Sequence, residues 1–380
     1  MHYLDHAATT PLRPAAREAW LAAADLTGNP SSLHGEGRRV RAVVEDARER
    51  IGAALGADAA EVILLSGGTE ADNLALKGLW WGRGGAGRIV TTAVEHHAVL
   101  DSAKWLADRE GAELVEVGVD SAGAVDIDAF TAALPGATLA TAMWVNNEVG
   151  AVQPVAELAA AAAAAGVPMH CDAVQAVGYE QVDFGASGLT TMAVSAHKIG
   201  GPVGVGALLA RRDAPLAPLL HGGGQERKLR SGTVDAAGAA AFAAALEQVV
   251  AERDLERRRV EALGDRLATG IRDAVPDAVV RGAADGCSAH VVHAVVPGAS
   301  SEAMLMLLDA AGVAVSSGSA CTAGVVERSH VLQAMGHTPE ESRSAVRFSL
   351  GWTTTDGDVD AALAALADAV ARARAAGRMR

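Results

Sequence analysis

The sequence predicts an α/β protein in which a mostly parallel sheet of seven strands is covered by helices and followed by a small α+β domain. Between about residues 36 and 210, amphipathic helical stretches alternate with short apolar runs. These runs are predominantly apolar, which is typical of strands buried on both faces of a parallel sheet. Polar and glycine-rich groups follow the runs directly, where ligands bind in sheets of this kind.

The elements can be placed in order along the chain. The first helix is predicted from residue 37 to about 55, because five apolar residues recur there at helical spacing: Val40, Val43, Val44, Ala47 and Ile51. Helices fill most of the gaps between the predicted strands, which lie at 61–65, 88–92, 113–117, 138–144, 167–171, 190–194 and 203–209.

A helical stretch from residue 234 to 271, with a charged patch at 252–259, links the sheet to the C-terminal part of the chain. Short strands and helices are predicted beyond it, at 278–281, 289–296, 301–311, 346–350 and 356–375. This mixture predicts a small α+β domain.

The composition excludes several classes of protein. A chain of 380 residues, half of them hydrophobic, can bury a large core. Its net charge of −14 disfavours nucleic acid or an anionic membrane as a partner. We find no apolar run of about 20 residues and no signal-peptide pattern at the start, and the three cysteines do not suggest a disulfide framework. We therefore expect a cytoplasmic protein with reduced thiols.

Five polar clusters follow predicted strands and should meet at one edge of the sheet. They lie at residues 67–70, 95–97, 146–148, 172 with 175, and 197–198. Each cluster is a weak signal alone, but their shared position predicts a binding site.

Lys198 is one of four lysines in a chain that contains 28 arginines. It follows the predicted strand at 190–194 and precedes a Gly-Gly-Pro turn at 200–202. A desolvated lysine can lose its proton and attack a carbonyl, as in a Schiff base with an aldehyde cofactor. A surface lysine at a strand end is the alternative, and this segment alone favours neither.

The stretch Gly67-Gly68-Thr69 ends one predicted strand and opens the next helix, where exposed amides and the helix dipole favour a phosphate. It matches neither a Walker A loop nor a dinucleotide fingerprint. A tight turn capped by Thr69 is the other interpretation, and taken alone it is the favoured one.

Asp172 ends a predicted strand, 26 residues before Lys198. A carboxylate at the bottom of a cofactor pocket can hold a pyridinium nitrogen protonated. Asp172 can equally cap the helix that follows.

Several histidines raise the hypothesis of a metal site, namely His96, His97, His170 and His197 together with Cys171. They lack the short ligand spacings of structural zinc sites and of metalloproteases. Stacking on a planar ring or proton transfer explains His96 better.

Two further candidates lie in the C-terminal part of the chain. Cys321 lies among small residues and two glycines at 316–324, a setting that suits a reactive thiol. Arg347 lies in a strand of alternating character, where its planar fork can bind a substrate carboxylate or form an ion pair across a domain interface.

From Tyr3 to about Asp356 the chain resembles the NifS/IscS-like cysteine desulfurases, a group of class V aminotransferase-like enzymes that use pyridoxal phosphate. The matching segments lie at 3–11, 28–32, 67–73, 95–100, 145–150, 195–198, 222–226, 230–233, around Cys321 and at 347–351. The chain departs from the family at Ala196, where glycine is usual, and at Gly68, where alanine is common.

The resemblance implies pyridoxal-phosphate fold type I, the fold of aspartate aminotransferase. Residues 1–15 are then expected to pack on the small domain, 16–252 to form the large cofactor-binding domain, and 253–380 to form the small domain that carries Cys321.

The resemblance also implies roles for the candidate residues. Lys198 would bind the cofactor covalently, Asp172 would pair with its ring nitrogen, and His96 would stack on the ring. Other contacts would come from Gln175 and Asn147 at the phenolic oxygen, from Gly68, Thr69, Ser195 and His197 at the phosphate, from Thr233 of the second subunit of a homodimer, and from Arg347 with Asn147 at the substrate.

The implied reaction converts L-cysteine to L-alanine, with Lys198 moving protons and the Cys321 thiolate taking the sulfur as a persulfide. The expected sulfur acceptor is an iron–sulfur scaffold or a tRNA-thiolation enzyme, without direct contact to nucleic acid or a membrane. A selenocysteine lyase-like activity is an alternative that Cys321 does not exclude. A catalytically silent assembly subunit is another, against which the intact Lys198, Asp172, His96 and Cys321 argue.

Overall fold

The computed structural model describes residues 1–318, 321–322, 325–326 and 328–377. The strands of this part of the chain are β1 His2–Tyr3, β2 Val62–Leu65, β3 Arg88–Thr92, β4 Glu113–Val117, β5 Ala137–Thr141, β6 Met169–Asp172, β7 Thr191–Ser195, β8 Gly206–Ala210, β9 Val279–Arg281, β10 Val291–Val295, β11 Val313–Ala314, β12 Cys321–Thr322, β13 Val325–Val326 and β14 Ala345–Ser349.

The helices of the same residues are α1 Pro14–Ala24, α2 Gly35–Ala54, α3 Gly68–Gly82, α4 His97–Glu110, α5 Ile127–Ala133, α6 Val155–Ala164, α7 Phe184–Ser187, α8 Ala236–Ala274, α9 Ser301–Ala310, α10 His330–Ala334 and α11 Asp356–Gly377. Within the described ranges, none of these helices combines the length and the apolar character needed to cross a membrane.

The large sheet has the strand order β2-β8-β7-β6-β5-β3-β4. Strand β8 pairs antiparallel with β2 and β7, and the other pairings are parallel. Six of the seven strands therefore run in one direction, and their carboxyl ends share one edge of the sheet. The prediction of a mostly parallel seven-stranded sheet is confirmed.

The central strands β5, β7 and β8 are buried along their whole length, as their uninterrupted apolar runs predict. The edge strand β4 exposes Glu113 and Glu116 instead. Strand β8 begins at Gly206 and not at residue 203 as predicted, because Val203 and Gly204 form part of the turn after Lys198.

Helix α8 is 39 residues long and contributes side chains to two hydrophobic cores, one at the large sheet and one at the C-terminal sheet. Asp235 caps its first turn by accepting a hydrogen bond of 2.9 Å from the Gly238 amide. Phe242, in the N-terminal half, belongs to the core beneath the large sheet, and Leu267, in the C-terminal half, belongs to the core of the small sheet. The expected domain boundary at 252/253 falls inside this one helix.

The C-terminal part contains an antiparallel sheet with the order β14-β10-β9. Strand β1 pairs in parallel with β11, and Asp5 forms a further bridge with Ser349. The N-terminal segment therefore lies against C-terminal strands before it reaches the carboxyl edge of the large sheet at Ala7 and Ala8.

Candidate active site

A cavity of about 410 Å³ lies at the carboxyl edge of the large sheet. Ten of the residues singled out from the sequence line it: Gly68, Thr69, His96, Asn147, Asp172, Gln175, Ser195, His197, Lys198 and Arg347. The five polar clusters therefore meet at one place, because the six strands that precede or flank them run in the same direction.

Lys198 ends a short helical turn, Ala196–Lys198, that follows β7 directly. Its Nζ donates hydrogen bonds to the carbonyl oxygens of Ala7, at 2.6 Å, and Ala8, at 2.9 Å. Burial, together with the nearby Arg347 guanidinium, lowers the pKa of Lys198 to about 8. Asp172 and Asp5 oppose this shift. Lys198 is therefore not an ordinary surface lysine, and the unprotonated fraction of its amine at neutral pH is much larger than that of an exposed lysine.

Asp172 is the last residue of β6 and is 5% exposed. It accepts a hydrogen bond of 2.9 Å from the Val174 amide, so it does cap the turn that follows. Burial raises the pKa of Asp172, while His96 and Lys198 act to lower it. A cation placed beside Asp172 would stabilise the ionised form.

His96 is the N-cap of α4, and its Nδ1 accepts a hydrogen bond of 3.1 Å from the Ala98 amide. Because Nδ1 accepts this bond, the remaining proton of the neutral ring lies on Nε2. Burial is the main cause that lowers the pKa of His96. The imidazole ring is therefore neutral at physiological pH, and a neutral ring is the form suited to stacking on another ring.

The Gly67-Gly68-Thr69 turn departs from the capping interpretation. The N-cap of α3 is Gly67, at φ +153°, without a side-chain cap, and Thr69 lies inside the first helical turn. Capping by Thr69 is therefore the wrong expectation, because the helix begins at Gly68, two residues earlier than that role requires. The Thr69 side chain is left available at the helix N-terminus, next to the cavity.

Ser195 and His197 complete this side of the cavity. The Ser195 hydroxyl is buried and has no hydrogen-bond partner among the described residues. His197 lies 3.2 Å from the Thr9 hydroxyl through Nδ1, and burial lowers the pKa of its ring to about 4. An unpartnered buried hydroxyl is costly unless a ligand binds it.

Arg347 is 4% exposed and forms an ion pair of 2.7 Å with Asp5. Its Nη1 donates to the Asn147 carbonyl at 2.6 Å, and its Nε is buried without a partner in the described part of the chain. Of the two interpretations of Arg347, the ion pair is present, and the guanidinium also lines the cavity.

Gln175 is held by two groups at the cavity. Its Nε2 donates to the Ala7 carbonyl at 2.8 Å, and its Oε1 lies 3.3 Å from His290 Nε2. These two contacts fix the orientation of the Gln175 side chain. The sequence alone did not predict that the N-terminal segment at Ala7 would lie beside it.

Two buried acidic residues, Asp72 and Glu95, lie at the floor of the cavity, and Asp72 was not singled out from the sequence. Asp72 lies 3.1 Å from His170 Nε2, and burial raises its pKa. Glu95 accepts hydrogen bonds from the Thr92 hydroxyl and the Met143 amide, and burial raises its pKa to about 8. The three-residue spacing from Thr69 to Asp72 is the signal that could have indicated Asp72, because it places both on one helix face.

Among the described residues, Asp72, His96 and Asp172 have the arrangement closest to a metal site, with ligand atoms within 4.8 Å of one another. Each of the three already accepts or shares a hydrogen bond, with His170, Ala98 and Val174 respectively. These contacts leave the three side chains as a hydrogen-bonded polar floor to the cavity.

Two predicted residues stand apart from the cavity lining. Thr233 is exposed and lines a smaller cavity, near Ser66 and Arg230. The backbone of Cys321 pairs with Val326, but its side chain lies outside the described part of the structure. The flanking residues Ser316 and Gly318 do line the large cavity.

The comparisons with known proteins agree with this arrangement. The model of the aminotransferase class-V family matches residues 2–362. The IscS-like cysteine desulfurase of Mycobacterium tuberculosis (strain ATCC 25618 / H37Rv) is 51% identical over 384 residues, covering 99% of this chain and 98% of its own. The putative cysteine desulfurase IscS 1 of Bacillus subtilis (strain 168) is 42% identical over 374 residues, with 97% and 98% covered.

Solved structures are similar as well. A NifS-like protein superposes with a TM-score of 0.90 at 30% identity, covering 97% of this chain and 99% of that one. SspA, solved in complex with cysteine, superposes with a TM-score of 0.81 at 28% identity, covering 92% and 99%. The chain therefore belongs to the aminotransferase class-V family and, within it, to the IscS-like cysteine desulfurases.

Proposed function

We propose that this protein uses pyridoxal phosphate to remove sulfur from L-cysteine, giving L-alanine and a persulfide on Cys321. The observation that carries the proposal is the half-buried Lys198 amine with a lowered pKa, in the same cavity as Asp172 and Arg347. The structure of SspA with cysteine supports the same substrate for this chain.

The residues of the cavity fit pyridoxal phosphate. The unpartnered Ser195 hydroxyl and the N-terminus of α3 at Thr69 suit its phosphate, with His197 and Gly68 beside them. Asp172 suits a protonated ring nitrogen, His96 a ring face, and the amide groups of Gln175 and Asn147 a phenolic oxygen. When bound, the cofactor supplies the electron sink that takes up the electron pair of the substrate C–S bond.

Lys198 would bind the cofactor and then move protons at the reacting carbon. With a pKa of about 8, roughly a tenth of the amine is unprotonated at pH 7, against a far smaller fraction for an ordinary lysine. The carbonyls of Ala7 and Ala8 hold its Nζ at the edge of the cavity. Lys198 can therefore act both as a nucleophile and as a base.

Arg347 would orient the substrate through its carboxylate. Its guanidinium is fixed from two sides, by Asp5 and by the Asn147 carbonyl, and presents a planar donor to the cavity. Cys321 would provide the thiolate that bonds to the substrate sulfur as the C–S bond breaks.

The wider organisation is also a proposal. We propose a homodimer in which Thr233 of one subunit contributes to the phosphate site of the other, which its exposed position supports. We further propose transfer of the sulfur to an iron–sulfur scaffold or a tRNA-thiolation enzyme. Residues 1–15 would pack on a small domain of 253–380, a division that the pairing of β1 with β11 supports.

L-Alanine formation from L-cysteine tests this function, with a reductant present to release persulfide sulfur. We expect the wild type to form alanine and the Cys321→Ala variant to form little, with its visible cofactor absorption unchanged. Equal alanine from both proteins would remove Cys321 from the reaction. No alanine from a wild type that binds the cofactor would contradict the proposed substrate.

A further inference from the structure

The turn formed by residues 146–150 carries Asn147 into the cavity and is rigidly held. The Asn146 side chain accepts hydrogen bonds of 2.9 Å from the Glu148 and Val149 amides and donates one of 2.9 Å to the Val94 carbonyl. Asn146 is fully buried. The backbone of Glu148 is therefore held in place by its own turn.

Residues 316–329 form the segment that contains Cys321, and its N-terminal end is tied to this turn. Ser316 and Arg347 exchange two backbone hydrogen bonds, of 3.1 and 2.6 Å, and Arg347 Nη1 donates to the Asn147 carbonyl. Gly318, at φ +85°, packs so closely that a Cβ there would lie 3.3 Å from the Glu148 Cβ.

The C-terminal end of the segment is tied to the same turn by one side-chain contact. The Ser329 hydroxyl donates to Glu148 Oε2 at 2.5 Å, and both residues are 2% exposed. An O–H···O contact of this length is typical of a hydrogen bond to a carboxylate. Ser329 also caps α10 by accepting from the Leu332 amide at 3.0 Å.

The next residue adds a contact to the other side of the cavity. His330 Nε2 donates to the Glu95 carbonyl at 2.9 Å, and its ring meets that of His97 with centroids 5.0 Å apart. Glu148 and Ser329 have no assigned part in the binding of the cofactor, yet they join the turn that carries Asn147 to the end of the Cys321 segment.

We propose that Glu148 and Ser329 are positioning residues, whose buried hydrogen bond fixes the C-terminal end of the Cys321 segment against the turn that carries Asn147. The inference rests on the proposed function, in that Cys321 is taken to receive the sulfur. The Asn147–Glu148 turn then sets the position of the thiol-bearing segment relative to the cofactor site from both of its ends.

A tryptic cleavage site next to Ser329 allows this contact to be tested. Arg328 is exposed and is the only lysine or arginine between residues 316 and 329, so trypsin can cut the segment only after it. Cleavage requires residues on both sides of the Arg328–Ser329 bond to leave their contacts, including Ser329 with Glu148. The rate of appearance of the fragment that begins at Ser329 therefore reports on the contact without any turnover.

The experiment compares Glu148→Ala and Ser329→Ala with the conservative variants Glu148→Gln and Ser329→Thr, which keep the acceptor and the hydroxyl. We expect cleavage after Arg328 to be about tenfold faster in the alanine variants, since each loses a buried hydrogen bond, and nearly unchanged in the conservative variants. Ser342→Ala is the matched control, because its hydroxyl bonds to the Thr338 carbonyl away from the cavity.

The same variants are assayed for alanine formation. We expect kcat of the alanine variants to fall about tenfold, with KM for L-cysteine and the visible cofactor absorption nearly unchanged, because only the approach of the Cys321 segment is affected. Cleavage after Arg328 at the wild-type rate in both alanine variants would overturn the proposal. So would an equal acceleration at every tryptic site, since that would show general destabilisation. A wild type that forms no alanine would contradict the proposed function alone, because the tryptic comparison does not depend on it.

Discussion

Lys198 is the residue whose environment changes its chemistry most directly. An exposed lysine holds its proton until well above pH 10, whereas burial beside Arg347 lowers the pKa of Lys198 to about 8. The two carbonyl oxygens that accept from its Nζ belong to Ala7 and Ala8, far away in the sequence. The sequence thus indicates which lysine matters, and the tertiary structure sets its pKa.

The pH dependence of cofactor uptake follows from this pKa. We expect the rate at which cofactor-free protein develops visible absorption with pyridoxal phosphate to rise with pH, with a midpoint near 8, because only the unprotonated amine attacks the aldehyde. Lys77→Gln is the control and should keep the same profile. A midpoint above 10 would show that Lys198 is not desolvated in solution.

Glu95 offers a test of burial at a single carboxyl group. Its pKa is raised to about 8 in the folded protein by burial, so the folded state retains a proton that the unfolded chain releases above about pH 4.5. The unfolded state then binds fewer protons, and the stability of the wild type falls as pH rises from about 4.5 to 8.

Glu95→Gln removes this titration while keeping an acceptor for Thr92 and the Met143 amide. We expect the variant to gain stability over the wild type as pH rises, by at most about 1.4 kcal/mol per pH unit, in urea unfolding at pH 5, 6, 7 and 8. Glu113→Gln, at an exposed strand edge, should show no such trend. A constant difference between Glu95→Gln and the wild type would mean that Glu95 is ionised throughout.

At the scale of elements, the close approach of β8 to the turn before α3 sets the shape of the predicted phosphate site. A Cβ at Gly206 would lie 2.6 Å from the Gly67 Cα and 2.7 Å from the Val194 carbonyl oxygen. Both neighbours are backbone atoms, which cannot move away as a side chain can. Only glycine lets β8 pair with β2 and β7 at this point.

Gly206→Ala should therefore displace the turn that leads to Thr69. We expect a loss of about 1–3 kcal/mol of unfolding free energy and weaker retention of pyridoxal phosphate, measured by urea unfolding and by absorption after dialysis. Gly35→Ala is the matched control, since a Cβ there meets nothing within 4 Å. Full cofactor retention in Gly206→Ala would show that the turn does not contribute to the phosphate site.

At the scale of the whole molecule, a buried ion pair joins segments that are distant in the chain. Glu226 is 1% exposed and accepts two hydrogen bonds of 2.8 Å from Arg48 of α2, and one of 2.9 Å from the Leu64 amide of β2. It lies in the loop that leads to Thr233. The ion pair thus holds in place a segment that the proposed dimer depends on.

Breaking this pair should be costly, because it leaves Arg48 buried without its counter-charge. We expect Glu226→Gln to lose about 3 kcal/mol of unfolding free energy in urea. Arg212→Gln breaks an ion pair whose side chains are 67% and 68% exposed and should change stability by less than about 0.5 kcal/mol. Equal effects of the two substitutions would rule out a special role for the buried pair.

The sequence by itself determined the strands of the large sheet and the edge of that sheet at which the candidate residues lie. Apolar runs identify strands buried on both faces of the sheet. Because polar residues directly follow these strands, the sequence predicted that Lys198, Asp172, His96 and Asn147 would meet at one edge of the sheet. The family resemblance added the expected cofactor and the expected role of Cys321. The placement of the strands succeeds because burial and periodicity are local properties of the chain.

Only the tertiary structure decided which groups from separate elements touch. Three such contacts join residues that lie 181 to 342 positions apart in the chain. They are the hydrogen bonds of Lys198 to the Ala7 and Ala8 carbonyls, the ion pair of Arg347 with Asp5, and the hydrogen bond of Ser329 to Glu148. Such contacts leave no periodic trace in the sequence, and the pKa of a buried group depends on all of its neighbours at once. Desolvation and long-range contact are properties of the packed molecule, and for that reason they appear only in the fold.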